Sequence, residues 1–242
     1  MDFFSNIGSE FTKTFIRDNR WMVFAEGLKN TLIITVFATL IGIVIGTAVS
    51  AVHAFAAAEK QKASGSVAKS ALLALDKVLG AYVAVMRGTP LAVQLLIMNF
   101  VIFAGFTNKI LVCCIAFGIN SGAYVSEVIR GGISSVDIGQ TEAGRSLGLS
   151  GLTTLWRIVL PQAIKNILPA LCNEGIAVLK ETSIIGLIAA VDLTRASDLV
   201  RSRTLQPVMP LFSIAVIYFL LVYGMSKAVG RLEMKLAEAS SR

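Results

Sequence analysis

The sequence is short of charge. Asp, Glu, Lys and Arg make up 15% of its 242 residues, against about 25% in a typical soluble domain, and that depletion argues against a soluble enzyme. One histidine and three cysteines leave little from which to build a metal centre. Cys113 and Cys114 are adjacent and Cys172 stands alone in an apolar stretch, so neither a zinc-type nor a disulfide spacing exists. No nucleophile is paired with a base, which gives an intramembrane enzyme no support. A G-x-x-x-x-G-K-[ST] phosphate loop is also missing. Residues 1–26 lack the continuous apolar core of a signal peptide, because Asp2, Glu10, Lys13, Arg17 and Asp18 interrupt them.

What the chain has instead is apolar surface. Hydrophobic residues make up 55% and the mean hydropathy is +0.74, so the net charge of +7 points to basic loops facing anionic lipid rather than to nucleic acid. Asn30–Ala58, Gly88–Asn108, Ile110–Ser126 and Thr204–Ser226 are free of Asp, Glu, Lys and Arg and are about as long as a bilayer crossing requires. Two further apolar stretches carry charge: Val67–Met86, with Asp76 and Lys77, and Ile167–Val191, with Glu174, Lys180 and Glu181. Residues 67–104 are too many for one span, so the crossing is placed near Val78–Ala104, tilted and interrupted at Arg87-Gly88-Thr89-Pro90, where proline removes a backbone donor.

These segments predict an all-α membrane protein with five transmembrane helices, the N-terminus outside and the C-terminus in the cytoplasm, the orientation that the Lys and Arg balance favours. Residues 1–26 are expected to form an interfacial amphipathic helix, with Phe3, Ile7, Phe11 and Phe15 on one face and Trp21 as anchor. The membrane domain then covers 27–232, with a cytoplasmic loop at 131–168, and 233–242 form a cytoplasmic tail.

The long loop carries the most specific pattern. Glu142 to Leu147 favours helix and ends at Gly148, a candidate C-terminal glycine, after which Ser150 can cap a second helix. Leu152, Leu155, Trp156 and Val159 follow at i, i+3, i+4 and i+7, one apolar stripe with a tryptophan anchor. By periodicity alone that stripe could equally pack on the protein's own helices.

Glu142-Ala143-Gly144, Gly148, and Ile158, Leu160 and Pro161 reproduce the E-A-A, three residues, G, nine residues, I, one residue, L-P spacing. The loop thereby resembles the signature cytoplasmic loop of permease subunits of ABC importers, with Gly144 replacing the second alanine. Arg87-Gly88-Thr89-Pro90, Asn120-Ser121-Gly122-Ala123-Tyr124 with Glu127, Arg130-Gly131-Gly132, Lys180-Glu181-Thr182-Ser183 and Asp192-Leu193-Thr194 resemble the polar amino acid branch, the histidine and glutamine permease type. Glu181 stands where this branch more often has Asp.

The resemblance implies a multi-pass protein of the bacterial cell membrane. It would be paired with a second permease, either the same chain or a relative, with two ATPase subunits that bind ATP and Mg, and with an extracytoplasmic amino-acid-binding protein. Leu152–Val159 would be the coupling helix. No cofactor or metal is expected in the chain itself.

Ionisable groups within spans mark functional sites. A zwitterionic amino acid asks for one cation and one anion in a dry cavity, and Arg87 and Glu181 could supply them. Internal pairing is the alternative for both. Thr89, Asn120, Ser121, Tyr124 and Ser183 complete the candidate substrate path. Glu127 is expected to pair with Arg130 at i, i+3. Asp192, Thr194 and Arg195 are expected near the outer mouth, in contact with a ligand or simply solvated. Gly42 with Gly46, and Gly118 with Gly122, form small-xxx-small pairs. The competing function is a self-contained secondary transporter or channel built on Arg87, Glu127 and Glu181.

Overall fold

The structure is a computed structural model that describes residues 3–60 and 66–238, the side chains of 3–6 excepted, and every regular element among the described residues is helical. The helices are α1 (Phe3–Phe11), α2 (Trp21–Lys60), α3 (Val67–Gly88), α4 (Leu91–Ile97), α5 (Lys109–Ser134), α6 (Ile138–Ser146), α7 (Gly151–Thr154), α8 (Leu160–Glu181), α9 (Leu193–Thr204) and α10 (Val208–Glu238). More widely wound turns extend α1 through Thr12–Ile16 and α4 through Met98–Ile102, and a third, Leu155–Val159, joins α7 to α8.

Among the described residues, α2, α5 and α10 are long and apolar enough to cross a membrane alone, and α3 with α4 qualifies only as a broken pair. The span expected over Ile167–Val191 is a different object. Its helix, α8, starts earlier, at Leu160, and stops at Glu181, where a tight 3-10 turn (Thr182–Ile188) takes over and ends on a left-handed Ala189, φ 60°. The loop expected over 131–168 is correspondingly shorter, because α5 runs on to Ser134. The break within residues 67–104 falls at the predicted place. Thr89 (φ −124°, ψ 147°) and Pro90 (φ −63°, ψ 133°) are both extended, so the helix is interrupted outright rather than tilted through.

The helix expected over 1–26 also divides. Asp18 and Asn19 adopt left-handed backbone (φ 56° and 53°), a conformation open chiefly to Gly, Asn and Asp, and Trp21 opens α2 instead of closing α1. Ile7 and Phe11 are exposed as an interfacial face requires. Phe15 instead turns inward onto Phe24, with ring centroids 5.0 Å apart. Phe3 has its side chain outside the described residues.

The chain divides into two compact units. The first comprises the described residues of Met1–Ala38, Pro90–Phe117 and Ile176–Ser226. Its core gathers Phe24, Leu193, Ala196, Val200 and Ile214, with Phe15 and Tyr218 packed against it. At the centre lies Asp192, which is 0% exposed. Its two carboxylate oxygens accept the Thr194 and Arg195 amides of α9, each at 2.9 Å, and Oδ2 also accepts the Tyr218 hydroxyl at 3.3 Å. Gly27 lets α2 approach this segment so closely that a Cβ there would stand 2.5 Å from the Asp192 carbonyl oxygen. Asn30 donates to the Val191 carbonyl at 2.8 Å. The solvated alternative for Asp192 is therefore corrected: it is a buried helix cap.

The second unit comprises Thr39–Thr89, Gly118–Gly175 and the described residues of Lys227–Arg242. Here α2 and α5 meet through glycine, as the small-xxx-small spacing anticipates. A Cβ on Gly42 would lie 2.7 Å from Ser121 Oγ, one on Gly46 2.5 Å from Val125 Cγ1, and one on Gly122 2.7 Å from Ile45 Cγ2 and 2.9 Å from the Tyr82 hydroxyl. Val49, Val83 and Ala123 form the core beside this contact. Lacking a hydrophobic driving force in lipid, such helices associate by close packing and internal hydrogen bonds, among them Ser50 Oγ to the Ser126 carbonyl at 2.9 Å and Tyr82 to the Ile119 carbonyl at 2.5 Å.

Gly122→Val should therefore cost about 1–3 kcal/mol through overpacking. Gly131→Ala, in the same helix with nothing within 4 Å of the new Cβ, should gain up to about 1 kcal/mol of helix propensity. Thermal melts of the detergent-purified protein are expected to move in opposite directions for the two variants.

Candidate substrate path and coupling loop

In the second unit the candidate path residues gather on α3 and α5. Arg87 lies in the last turn of α3, one residue before the break, and its Nη1 stands 3.2 Å from Glu127 Oε2. Glu127 is in turn gripped by Arg130, Nε to Oε1 at 3.1 Å and Nη2 to Oε2 at 2.7 Å. The Arg87 guanidinium rests over the Tyr124 ring, 5.5 Å from its centroid, a cation–π geometry. Two guanidiniums thus share one carboxylate. The i, i+3 pairing of Glu127 with Arg130 is present as expected, and Arg87 joins it.

Asn120 and Ser121, expected to face a cavity, are instead buried in helix contacts. Asn120 Nδ2 donates to the Met86 carbonyl at 3.2 Å, while Ser121 Oγ donates to Glu174 Oε1 at 2.9 Å. Thr89 returns its hydroxyl to the Val85 carbonyl at 2.8 Å, satisfying an acceptor left over at the end of α3. Two sets of contacts in this unit escaped the sequence reading, which noted Glu174 and Asp76 only as charges within apolar stretches. Glu174 is the only carboxylate in the first half of the Ile167–Val191 stretch, a signal that could have singled it out. The second set is His53 with Asp76, Nδ1 to Oδ1 at 2.6 Å, where Lys60 Nζ approaches Oδ2 at 3.0 Å. They lie 23 residues apart, which no local spacing rule would connect.

Glu181 and Ser183 belong to the first unit. Glu181 is exposed at the end of α8, and Ser183 lies on the tight turn that follows. Ser183 lines an open cleft of about 390 Å³ together with Gly186, Thr194, Arg195 and Asp198. Arg195 lies flat along Gly186, where an added Cβ would come to 3.5 Å from its Cδ.

The connector between α5 and α8 folds with the caps expected at Gly148 and Ser150, and with a further one at Asp137. Asp137 accepts the Gly139 amide at 2.6 Å to open α6. Gly148 turns left-handed at φ 81°, with Leu149 N–H donating to the Gly144 carbonyl and Gly148 N–H to the Arg145 carbonyl, the glycine-dependent helix stop. Ser150 then caps α7 by accepting the Thr153 amide at 3.2 Å. Gly144 is buried against the next segment, and a Cβ there would lie 2.7 Å from Thr154 Cγ2. The two helices are clamped together at this small residue.

The proposed stripe splits on this scaffold. Leu152 and Trp156 are 51% and 61% exposed and Leu147 at the turn is 81% exposed, whereas Val159 is buried and Leu155 half-buried. Glu142, Ala143 and Pro161 are exposed alongside. The connector thus holds two large apolar side chains and a turn leucine outward on a fixed frame.

Residues 64–236 match the model of the family described as "Binding-protein-dependent transport system inner membrane component". This chain belongs to that family. As a member of this family it is a multi-pass, non-catalytic membrane subunit of the inner membrane. An L-cystine transport system permease of Bacillus subtilis is 30% identical, covering 95% of this chain and 93% of its own. An arginine transport system permease from the same organism is 34% identical over 87% and 91%, and a protein named for glutamine transport in Rickettsia felis is 36% identical over 87% and 91%. Among solved structures, an amino acid ABC transporter crystallised with histidines shares 35% identity at a TM-score of 0.78, covering 97% of this chain and 99% of that one. A methionine ABC transporter in an inward-facing form shares the fold at a TM-score of 0.73 and 17% identity, covering 90% of this chain and 98% of that one. The all-α importer-permease fold read from the loop signature is this family's.

Because Gly148 occupies left-handed backbone, Gly148→Leu in this permease should cost about 1–2 kcal/mol locally and misdirect α7. Limited proteolysis of the purified protein should show faster cleavage between Ser146 and Gly151, with the membrane helices left intact.

Proposed function

We propose that this chain is the permease subunit of an ATP-driven importer of polar amino acids, driven by a separate pair of ATPase subunits that bind ATP and Mg. It works with a second permease, the same chain or a relative, and receives substrate from an extracytoplasmic binding protein. The observation that carries the reading is the outward display of Leu152 and Trp156, with Leu147 at the turn, on a connector clamped at Gly144 and Gly148. Exposed aromatic and aliphatic anchors on a rigid frame are what a partner's groove requires. Hydrolysis in the ATPase then moves the membrane helices through this contact.

Trp156→Ala should remove about 2 kcal/mol or more of docking energy, seen as loss of ATPase co-purification or of substrate-stimulated hydrolysis, while the permease still inserts. Unchanged stimulation in both Trp156→Ala and Leu152→Ala would assign the connector to internal packing. The reading has five crossings, with the N-terminus outside and the connector and C-terminus in the cytoplasm. A thiol introduced at Ser150 should react only with a reagent supplied from the cytoplasmic face, and labelling from outside alone would reverse the orientation and overturn the mechanism.

The names of the relatives span glutamine, arginine and cystine, whose shared chemistry is an α-carboxylate and an α-ammonium. Arg87, half-exposed at the α3 break and braced by Tyr124, suits the carboxylate. Thr89, Asn120, Ser121 and Tyr124 are proposed as path-lining residues of the second unit; in the first unit, Glu181 and Ser183 are proposed as path-lining residues in their own right. In the assembled complex Arg87→Gln and Glu181→Gln should each lower uptake of labelled amino acid about tenfold, in line with the loss of one hydrogen bond to a charged group. Uptake at the unmutated rate would remove that residue from the site.

A further inference from the structure

The cluster around Glu127 carries more charge of one sign than it neutralises. Arg87 and Arg130 bring two positive charges to one carboxylate, and the two guanidiniums hold it unequally. Arg130 grips it as a fork, with bonds of 2.7 and 3.1 Å to both oxygens, whereas Arg87 makes one contact of 3.2 Å, to the oxygen Arg130 already holds most tightly. Bidentate guanidinium–carboxylate pairs are the strong ones, so Arg87 is the cation that can leave. Its other support is the Tyr124 ring, whose centroid lies 5.5 Å from the guanidinium carbon. It sits one residue before Gly88, where an added Cβ would meet nothing within 4 Å, and two before the extended Thr89.

We propose that Glu127 is a built-in stand-in for the substrate carboxylate: fixed by Arg130, it parks Arg87 when no amino acid is present and is displaced from Arg87 by the incoming α-carboxylate. The inference rests on the reading of Arg87 as the carboxylate site and adds Glu127 as a positioning residue that sets affinity. Parking Arg87 lowers the fraction of permease competent to bind, which weakens the apparent affinity by that fraction.

The test is equilibrium binding of labelled L-glutamine, L-arginine and L-cystine, each assayed separately, to the detergent-purified permease–ATPase complex, taking whichever binds as the probe. Glu127→Gln keeps the size and the hydrogen bond to Arg130 but removes the competing charge. It should lower Kd about fivefold, the scale of a partly exposed ion pair, with no such effect on competition by L-glutaminamide, which lacks the carboxylate. On an Arg87→Gln background the Glu127→Gln effect should vanish, the coupling expected of groups in direct contact. A purely structural role for Glu127 would leave Kd unchanged or raise it.

If Arg87→Gln weakens binding and Glu127→Gln does not tighten it, the stand-in role is overturned while the carboxylate site survives. If Arg87→Gln changes nothing, both fall. Should Glu127→Gln fail to assemble, Arg130→Lys gives the reverse test: the fork is lost, Glu127 turns fully to Arg87, and Kd should rise about fivefold. An unchanged value there overturns the proposal equally.

Discussion

A carboxylate among apolar helices must be met by donors, and the two units are organised around that requirement. Asp192 is met by two backbone amides and Tyr218, Glu174 by Ser121, Asp76 by His53 and Lys60, and Glu127 by two arginines. Apart from the local contacts of Asp192 with the Thr194 and Arg195 amides and of Glu127 with Arg130, each of these ties together segments of its own unit that lie apart in sequence. The apolar packing is permissive beside them: Leu, Val and Ile exchange at modest cost, but a carboxylate that loses its donors does not. Close approach is the complementary requirement, and glycine supplies it at Gly27 in the first unit and at Gly42, Gly46 and Gly122 in the second. Where a helix must pass a polar node, a side chain is removed to let the backbone through.

What was legible in the sequence follows the range of the interaction involved. The caps at Gly148 and Ser150 were legible because both act within a few residues of themselves, while the cap at Asp137, just as local, was passed over. The break at Thr89 and Pro90 was equally local, since proline restricts its own backbone and that of the residue before it. The burial of Asp192 was not legible: its neighbours Gly27, Asn30 and Tyr218 come from helices far off in sequence, and a short Asp-Leu-Thr-Arg run reads like any exposed helix start. The turn at Asp18 and Asn19 had a signal that was passed over, two side chains suited to left-handed backbone side by side. In α8 the charges were noticed, yet the helix boundary moved by several residues at the start and ten at the end, because the tight turn from Thr182 to Ile188 is built from residues that would sit equally well in a helix.

The candidate path shows the same division. Arg87, Tyr124 and Glu127 were chosen for charge and position, and the fold brings them into contact. Asn120 and Ser121 were chosen as polar side chains on an apolar helix, and polar side chains in such places are consumed first by the nearest unsatisfied group. For Asn120 that is the Met86 carbonyl, near the end of α3, and for Ser121 it is Glu174. Residue type indicated that these positions mattered; it could not tell which partner each would find.

The outward-facing Leu147, Leu152 and Trp156 also bear on how the protein must be made. A chain inserted without its partner presents these side chains to water on a frame too rigid to fold them away, the kind of contiguous apolar patch that drives association. On the proposed docking role the permease would be a poor orphan: surplus copies would offer quality-control proteases and chaperones a ready marker, and its abundance would follow the supply of the subunit that covers the patch.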